Sequence, residues 1–375
     1  MEGKNNQRQI KWMFASNMFP SDADPSYGTF VAKSLEDLTT NSIEIKRVEV
    51  IRGRHSGIRK VFIYCKYFFN LLRNGFDHNI NAVYVHYASH HCVPILLLNL
   101  IFKKNILIHI HGDDLAMRMG FTRRLLRMGQ KQIFKRSKLV VLPSQFFLQL
   151  FETLFPELDQ TKLYVSPSSG VDVNHYIDLP SRDIHYWNKF ESSSCIFHLG
   201  YTGRIDQDKG WRLITEAYSL LPAELTNRIH LHFFGHGKEM KDLESFTSSI
   251  PVERATIHGH YSQENTAKIH ESFDFHLVPS YRESLGLAAI EGLAAGNIVI
   301  CSRIRPFTDY TIDNESAIHF EAGDARSLAN AIIFTLSLAP ESLINLSVNA
   351  RKAASCFDRT EVSKQLTKVI RDQYA

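Results

Sequence analysis

Short apolar runs alternate with amphipathic stretches along the first half of the chain. Strand-like segments such as IKWMFAS, AVYVHY and NILIHIHG are separated by sequences with helical spacing, for example FVAKSLEDLTT. This βαβ rhythm is typical of a mostly parallel sheet that helices cover on both faces. The pattern therefore predicts a Rossmann-like, doubly wound lobe over residues 1–177.

The rhythm restarts after the polar segment 178–194. Strand-like FHLGYTG, RIHLHFFG and DFHLVPS follow, with a helical stretch that begins at Trp211. The chain has 375 residues, which is more than one hydrophobic core usually supports. We therefore predict an α/β protein with a second doubly wound lobe over residues 178–356, and a cleft between the lobes that is available for a ligand.

Composition places the chain among ordinary globular proteins. Hydrophobic residues make up 44% and charged residues 22%, which excludes a disordered chain. The five scattered cysteines lack zinc-site spacing and favour a reducing compartment. The N-terminus lacks a signal-peptide pattern, and the longest apolar run, residues 94–102, is shorter than the roughly 20 residues that span a bilayer. We expect a cytoplasmic protein in which this run forms a buried helix.

Charge is distributed unevenly along the chain. Residues 1–175 carry 23 Lys and Arg against 14 Asp and Glu, whereas the remaining residues carry 20 against 25. A basic first half favours contact with an anionic partner, either a phospholipid surface or a phosphorylated acceptor. Nothing in this pattern indicates nucleic acid.

Residues just after each strand matter most, since ligands bind at the carboxyl ends of strands in open parallel sheets. In GYTGRIDQDKG, a strand ends near Gly203 and a helix begins near Gly210. Glycines let the backbone approach a phosphate, a helix N-terminus favours an anion, and Arg204 and Lys209 supply positive charge. The alternative is an ordinary solvated turn.

A second loop, YRESLGLAAIEGLAAGN, follows the strand that Pro279 ends. Strong helix formers predict a helix over residues 285–295, which Gly296 ends. Glu283 and Glu291 would lie about 80° apart on one continuous helix, so we place Glu283 on the loop and Glu291 on the helix. The alternative is an exposed turn acid and a solvated helix acid.

Two loops of the first half complete the candidate chemistry. HIHGDD delivers His111 and two aspartates to a strand end; no further ligand cluster supports a metal there, and we expect none. The loop before Thr29 contains Gly28 at the start of a helix. It lacks G-x-G-x-x-G, which argues against a nicotinamide-dependent oxidoreductase.

These four loops, in this order, resemble glycosyltransferase family 4, a group of GT-B enzymes that are typically retaining and metal-independent. The most specific part is PSYRESLGLAAIEGLAAG, which is similar to the family's E-x7-E signature. Two positions depart from the family pattern: Ser168-Ser169 stands where Pro-Asn is common, and Pro306 is followed by Phe307 where the family often has Pro-Glu. The second departure leaves the donor's identity open.

The resemblance implies a role for each matched residue. Arg204 and Lys209 would bind the donor diphosphate, Glu283 would contact the transferred sugar, and Glu291 would hold the ribose hydroxyls. His111 would lie under the sugar, near the reaction centre. The implied catalytic set is His111, Arg204, Lys209 and Glu283, and the implied donor-binding set is Gly28, Gly203, Arg204, Lys209, Glu283, Leu285, Gly286, Leu287 and Glu291. The segment 357–375 resembles the family's last helix, which returns to the first lobe.

The resemblance thus implies a retaining enzyme that moves a hexose-type sugar from a nucleotide-diphosphate sugar to a glycan or lipid-linked acceptor, in cell-surface polysaccharide or glycolipid synthesis. The donor is a substrate, and no cofactor is expected. Three alternatives stay open: a GT-B nucleotide-sugar epimerase, a non-catalytic nucleotide-sugar-binding subunit, and a nicotinamide-binding enzyme. A double displacement through Glu283 is a further mechanistic alternative.

Two basic segments favour attachment at the inner face of a membrane. Residues 118–138 hold eight Lys and Arg and no acid, interleaved with apolar residues that include Ile133 and Phe134. Residues 52–73 repeat this pattern with aromatic residues. A basic amphipathic helix of this kind can lie in a lipid interface. The alternative is a solvated helix whose apolar side packs on the sheet.

Overall fold

The computed structural model describes residues 10–24, 27–112, 114–115, 121–180, 182–192 and 194–374, with backbone alone at 90, 121–126 and 191. The chain divides into two compact units. Residues 1–170 and 360–375 form the first unit, and residues 171–359 form the second. Each unit is built on one six-stranded sheet in which every described strand pair is parallel. The prediction of two doubly wound α/β lobes is confirmed.

The first sheet has the strand order β2-β1-β3-β4-β5-β6. Its strands are β1 (Lys11–Phe19), β2 (Glu44–Arg52), β3 (Ala82–His86), β4 (Asn105–His109), β5 (Leu139–Leu142) and β6 (Leu163–Val165). The helices between them are α1 (Thr29–Thr40), α2 (Gly57–Gly75), α3 (Cys92–Leu100), α4 (Phe121–Arg136) and α5 (Gln145–Leu154).

Both faces of the first sheet are buried, which explains why its strands are apolar without strict alternation. Met13, Val83 and Ile108 point into one hydrophobic cluster, and Trp12 and Tyr84 point into another on the opposite face. Successive side chains of a strand point to opposite faces, so a central strand with two covered faces needs apolar residues at nearly every position.

The second sheet has the strand order β12-β11-β10-β7-β8-β9. Its strands are β7 (Phe197–Thr202), β8 (Ile229–Phe234), β9 (Ala255–Gly259), β10 (Phe275–Val278), β11 (Ile298–Ser302) and β12 (Ile318–Phe320). The helices of this unit are α6 (Ile184–Asn188), α7 (Trp211–Leu220), α8 (Ala223–Thr226), α9 (Met240–Ser248), α10 (Thr266–Glu271), α11 (Leu287–Ala295), α12 (Phe307–Tyr310), α13 (Ala325–Leu336) and α14 (Pro340–Ser355).

The last helix, α15 (Arg359–Tyr374), supplies part of the first unit's core. Tyr374 lies edge-on to Trp12 with 4.7 Å between the ring centroids, and its hydroxyl donates to the carbonyl of Ile106 at 2.6 Å. Leu366 and Ile370 join the same cluster. The C-terminal segment therefore closes one face of the first sheet.

Helix α3 matches the predicted buried helix over residues 94–102 only in part. Ile95 and Leu98 are buried against the sheet, but Val93, Leu100 and Ile101 are exposed. The helix belongs to an outer layer, so only one of its sides meets the core. Among the described residues no single helix is long and apolar enough to cross a membrane; α13 and α14 reach that length and composition only as a pair bent by 114°.

Candidate functional site

In the second unit, the loops that follow β7 and β10 lie against each other at the carboxyl edge of the sheet. The amide of Tyr281 donates to the carbonyl of Asp208 at 3.1 Å. Gly210 has φ +68°, and a Cβ at this position would lie 1.9 Å from the carbonyl oxygen of Pro279. Only glycine lets these two loops approach so closely.

This contact brings together two of the predicted catalytic residues, which are 74 positions apart in sequence. Lys209 Nζ lies 2.6 Å from Glu283 Oε1, with 22% and 12% of the two side chains exposed. The hydroxyl of Ser280 donates to the same carboxylate oxygen at 2.8 Å. Glu283 is therefore held by two donors on a loop, as the sequence predicted for its position.

Arg204 lies on the first of these loops and is paired with acids of the same loop. Its guanidinium donates to the carboxylates of Asp206 and Asp208, the latter at 2.8 Å, while 49% of its side chain stays exposed. Asp206 also accepts from the amide of Lys238 at 2.9 Å. The positive charge predicted for this loop is thus largely compensated, and an incoming anion would have to exchange with carboxylates.

The third element of this edge is the N-terminus of α11. The helix begins at Leu287, two residues later than predicted, because Gly286 takes a left-handed conformation with φ +83° at the N-cap. A Cβ on Gly286 would lie 2.2 Å from the ring of Phe307. Leu285 is buried, and its carbonyl accepts from the hydroxyl of Tyr310 at 3.1 Å.

This geometry leaves the helix start suited to an anion. The first amides of a helix have no acceptor inside the helix, and the macrodipole places partial positive charge there. Gly296 ends the helix with φ +75°, as predicted.

Glu291 lies one turn into α11, on the side that is not fully buried. Leu287, Ala288 and Glu291 are the half-buried positions of a helix whose other residues are buried. Its charge acts on two buried tyrosines: burial first, and then Glu291, raises the pKa of Tyr176 and of Tyr261. Glu291 therefore lies within electrostatic range of the hydroxyls of Tyr176 and Tyr261.

The loop that follows β8 is a further part of this edge that the four predicted loops do not include. A Cβ on Gly235 would lie 1.7 Å from the carbonyl oxygen of Gly203, and one on Gly237 would lie 2.2 Å from that of Ile205. Both glycines therefore pack directly under the loop that carries Arg204. The G-H-G spacing immediately after a strand was the signal available in the sequence.

In the first unit, His111 lies at the end of β4 within a group of three histidines. His86 Nδ1 and His111 Nε2 are 2.6 Å apart, and the rings of His86, His109 and His111 stack on one another. The rings of Phe30 and Tyr87 flank His111 at 4.7 and 4.9 Å. His86 and His109 lie on β3 and β4, and no local sequence pattern links His86 to His111.

Burial, and then His109, lowers the pKa of His111 well below its ordinary value. Desolvation disfavours the charged imidazolium, so the ring is neutral at pH 7. His111 can therefore donate or accept a hydrogen bond but supplies no positive charge.

The backbone around His111 and Gly28 is tightly constrained. Asp114 accepts from the amides of His111 and Gly112 at 3.2 and 3.0 Å, and burial raises its pKa to about 6. Gly28 caps α1 with φ +77°, and a Cβ there would lie 2.7 Å from the side chain of Met18. Asp113 lies outside the described residues.

Comparison with known proteins matches the second unit to a family. Residues 197–353 match the family model described as Glycosyl transferases group 1. An uncharacterized glycosyltransferase of Methanocaldococcus jannaschii is 23% identical over 274 residues, which is 71% of this chain and 67% of the relative. The N-acetyl-alpha-D-glucosaminyl L-malate synthase of Bacillus anthracis is 22% identical over 297 residues, or 76% of this chain and 72% of the relative.

Solved structures match over nearly the whole chain. Anabaena HepE in complex with UDP and glucose has a TM-score of 0.71 at 17% identity and covers 97% of this chain and 100% of its own. The sucrose-phosphate synthase of Thermosynechococcus elongatus has a TM-score of 0.73 at 18% identity, with 98% and 99% covered. At these identities the likeness shows a shared fold.

Proposed function

We propose that this chain is a GT-B glycosyltransferase that transfers a hexose-type sugar with retention from a nucleotide-diphosphate sugar. The match of residues 197–353 to the group 1 family model and the fold shared with HepE support this proposal. The observation that carries this proposal is the Lys209–Glu283 pair, which stands 2.6 Å apart at the carboxyl edge of the second sheet. Beside it in sequence is the start of α11, whose amides and dipole suit a diphosphate. HepE was solved with UDP-glucose, so UDP-glucose is the first donor to test.

In the proposed reaction, the bond between the sugar C1 and the diphosphate oxygen breaks while the acceptor oxygen bonds to C1 from the same face. The acceptor's proton passes to the departing diphosphate oxygen, so no protein base is required. Lys209, Arg204 and the start of α11 stabilise the charge that develops on the leaving group, an effect that supplies several kcal/mol in comparable sites.

Glu283 serves the sugar rather than acting as a nucleophile. Its Oε1 already accepts from Lys209 Nζ and from the Ser280 hydroxyl, which orients the carboxylate and lowers its reactivity. His111, neutral for the reason given above, acts as a hydrogen-bonding catalytic residue of the first unit. Glu291 holds the ribose hydroxyls.

The activity is tested by incubating the protein with nucleotide sugars and following donor hydrolysis, then transfer to glycan and lipid-linked acceptors. NMR of the product's anomeric proton reads the stereochemistry. Retention supports the proposal, and inversion overturns it. Formation of an epimerised nucleotide sugar without acceptor would instead identify an epimerase. Activity should persist in excess EDTA; its loss and recovery with Mg²⁺ or Mn²⁺ would overturn the metal-independent mechanism.

The acceptor is proposed to be lipid-linked because the outer face of α2, α3 and α4 suits an anionic membrane surface. Helix α2 contains four basic residues and α4 contains six, and none of the three helices contains Asp or Glu. On α2, the side chains of Phe62 and Phe69 are 69% and 64% exposed. The exposed apolar residues of this outer face are Ile58, Val61, Phe62, Phe69, Val93, Leu100 and Met128.

The structure changes which helix is expected to enter the lipid. Ile133 and Phe134 of α4 are buried in the first unit's core, so they pack on the sheet and do not insert. Lys131 pairs with Glu157 at 2.6 Å. The side chains of Arg123 and Arg124, and residue 118, lie outside the described residues. Helix α2 is therefore the proposed inserting element, and α4 contributes charge.

Sedimentation with phosphatidylglycerol–phosphatidylcholine vesicles tests this surface. We expect binding that weakens with salt, since each basic side chain near an acidic leaflet contributes about 1 kcal/mol. Phe62→Ser with Phe69→Ser should abolish it, whereas Val252→Ser, at an exposed apolar position of the second unit, should not. Equal binding by all variants, or none at low salt, would favour a soluble acceptor.

A further inference from the structure

A second group of histidines lies on the sheet of the second unit, away from the residues assigned to the donor. His198 on β7 is the register partner of His230 on β8, and His232 follows His230 by two residues. Side chains two apart on a strand share a face, so all three lie on the same face. Their strand neighbours Leu199 and Leu231 point to the other face, into the main core.

The three rings are half-buried and close enough to share one ion. One nitrogen from each ring can be chosen so that all lie within 4.8 Å of one another. His198 Nδ1 and His232 Nε2 are 2.9 Å apart. The rings of His230 and His232 are stacked at 4.3 Å with an interplanar angle of 6°.

Neighbouring side chains on β9 hold the outer nitrogens. His232 Nδ1 lies 3.0 Å from His258 Nε2, and His230 Nε2 lies 2.8 Å from Thr256 Oγ1. Ligating histidines in metal sites usually pair their other ring nitrogen in this way, which fixes the tautomer and the ring orientation. The group therefore has both a set of ligand atoms and a surrounding set that orients them.

We propose that His198, His230 and His232 form a binding site for a divalent transition metal of the Zn²⁺ class. Zn²⁺ binds imidazole nitrogen at about 2.0–2.1 Å, so two ligands on one tetrahedral ion lie about 3.3 Å apart. The separation of His198 Nδ1 from His232 Nε2 is already near this value, and small side-chain rotations bring in His230. Water completes the coordination, because the rings are only half-buried.

The site is separate from the proposed catalytic one. His198 is the second residue of β7, about 13 Å along the strand from Thr202, after which the donor loop starts, and His232 pairs with Gly200, about 7 Å from Thr202 at 3.3 Å per residue. A metal here would clamp β7 to β8, and through His258 to β9, and so stabilise the second unit. Catalysis would not depend on it.

His86, His109 and His111 meet the same distance criterion, but they are a poorer metal site. His86 and His109 are buried, and the hydroxyl of Tyr84 lies 2.8 Å from His109 Nδ1. That contact leaves His109 Nε2 without a hydrogen-bond partner among the described residues, so an ion can approach this nitrogen, but between buried rings it would have little access to water to complete its coordination. The experiment must therefore distinguish metal binding at His86, His109 and His111 from binding at the histidines of the second unit.

The test is titration of the full-length, metal-free protein with Zn²⁺ and with Co²⁺. We expect one equivalent bound, the visible absorption of tetrahedral Co²⁺, and a higher Tm with Zn²⁺. His198→Ala and His232→Ala should each abolish these signals, and His258→Ala should weaken binding by about tenfold. His185→Ala, at an exposed histidine of α6, is the matched control and should bind normally.

Circular dichroism of each metal-free variant checks folding, and His230→Gln serves as a milder second variant. Absence of a bound equivalent, or unchanged binding in folded His198→Ala, His232→Ala and His230→Gln, would overturn the site. So would binding that only His111→Ala removes. Glycosyl transfer should be the same with and without Zn²⁺, so failure of this site leaves the proposed function intact.

Discussion

Replacing Lys209 with alanine tests the proposed diphosphate contact directly. In the native structure the Lys209 ammonium is 2.6 Å from Glu283 and 22% exposed. The variant removes one positive charge and leaves a carboxylate that is 12% exposed, held by Ser280 and facing the region proposed for the donor. The perturbation therefore both removes attraction for the diphosphate and uncovers repulsion.

The magnitude follows from the environment of the pair. Two unit charges 4 Å apart interact by about 4 kcal/mol at an effective dielectric constant of 20, and loss of one preorganised donor in comparable sites costs about 2.7–4 kcal/mol, or 10²–10³ in turnover. We expect Lys209→Ala to lower kcat/KM by about 10²–10³. Because the side chains are only 22% and 12% exposed, the variant leaves a largely buried carboxylate without its charge partner, and the free energy of unfolding should fall by about 1–3 kcal/mol.

The assay is steady-state transfer at saturating acceptor, with urea unfolding as the stability check. The double variant Lys209→Ala/Glu283→Gln should have a lower donor KM than Lys209→Ala alone, because it removes the unpaired carboxylate, while kcat stays low. Lys241→Ala, at an exposed lysine of α9, is the matched control. Near-native kcat/KM in folded Lys209→Ala, or an equal loss in Lys241→Ala, would refute the reasoning.

Three further outcomes are expected. In urea unfolding, Gly210→Ala should destabilise the protein by clearly more than Gly259→Ala. Both glycines have positive φ, which costs a substituted residue about 1–2 kcal/mol, but a Cβ at position 259 meets open space whereas one at 210 meets the carbonyl of Pro279. Equal losses in the two variants would contradict the close contact between the loops after β7 and β10. Glu291→Ala should mainly raise the donor KM and Glu283→Ala should mainly lower kcat, so equal effects on both constants in both variants would count against these roles. Burial lowers the pKa of His109 to about 3, so below pH 6.5 the unfolded chain takes up a proton that the native ring does not. The free energy of unfolding should therefore fall by roughly 2 kcal/mol from this residue between pH 6.5 and 5. If the free energy of unfolding of His109→Gln depends on pH as the native protein's does, other groups dominate this dependence.

Local patterns were enough to predict the two sheets. Strands such as β3 and β11 are apolar at nearly every position because both of their faces are covered, and that signal is present in the chain itself. Gly210 and Gly296 were predicted at helix boundaries because a left-handed backbone strongly favours glycine. The loops after the strands could be chosen as candidate sites since parallel topology gathers carboxyl ends at one edge.

Sequence patterns do not predict features that depend on contacts between residues far apart in the chain. Helix propensity predicted a start at Leu285, but Phe307 packs where a Cβ of Gly286 would lie, and the chain enters α11 two residues later. The sequence predicted a positive charge on the loop after β7, but the pairing of Arg204 with Asp206 and Asp208 depends on how that loop folds.

The sequence by itself determined the order of elements, the parallel α/β class and the loops that hold Arg204, Lys209 and Glu283, because these follow from residue periodicity and backbone preferences. Only the tertiary structure decided that Lys209 meets Glu283 across 74 positions, and that His198 meets His232 on one face of the second sheet. Contacts of this kind depend on strand order and register. Burial of the whole core selects both, and no local sequence pattern specifies them.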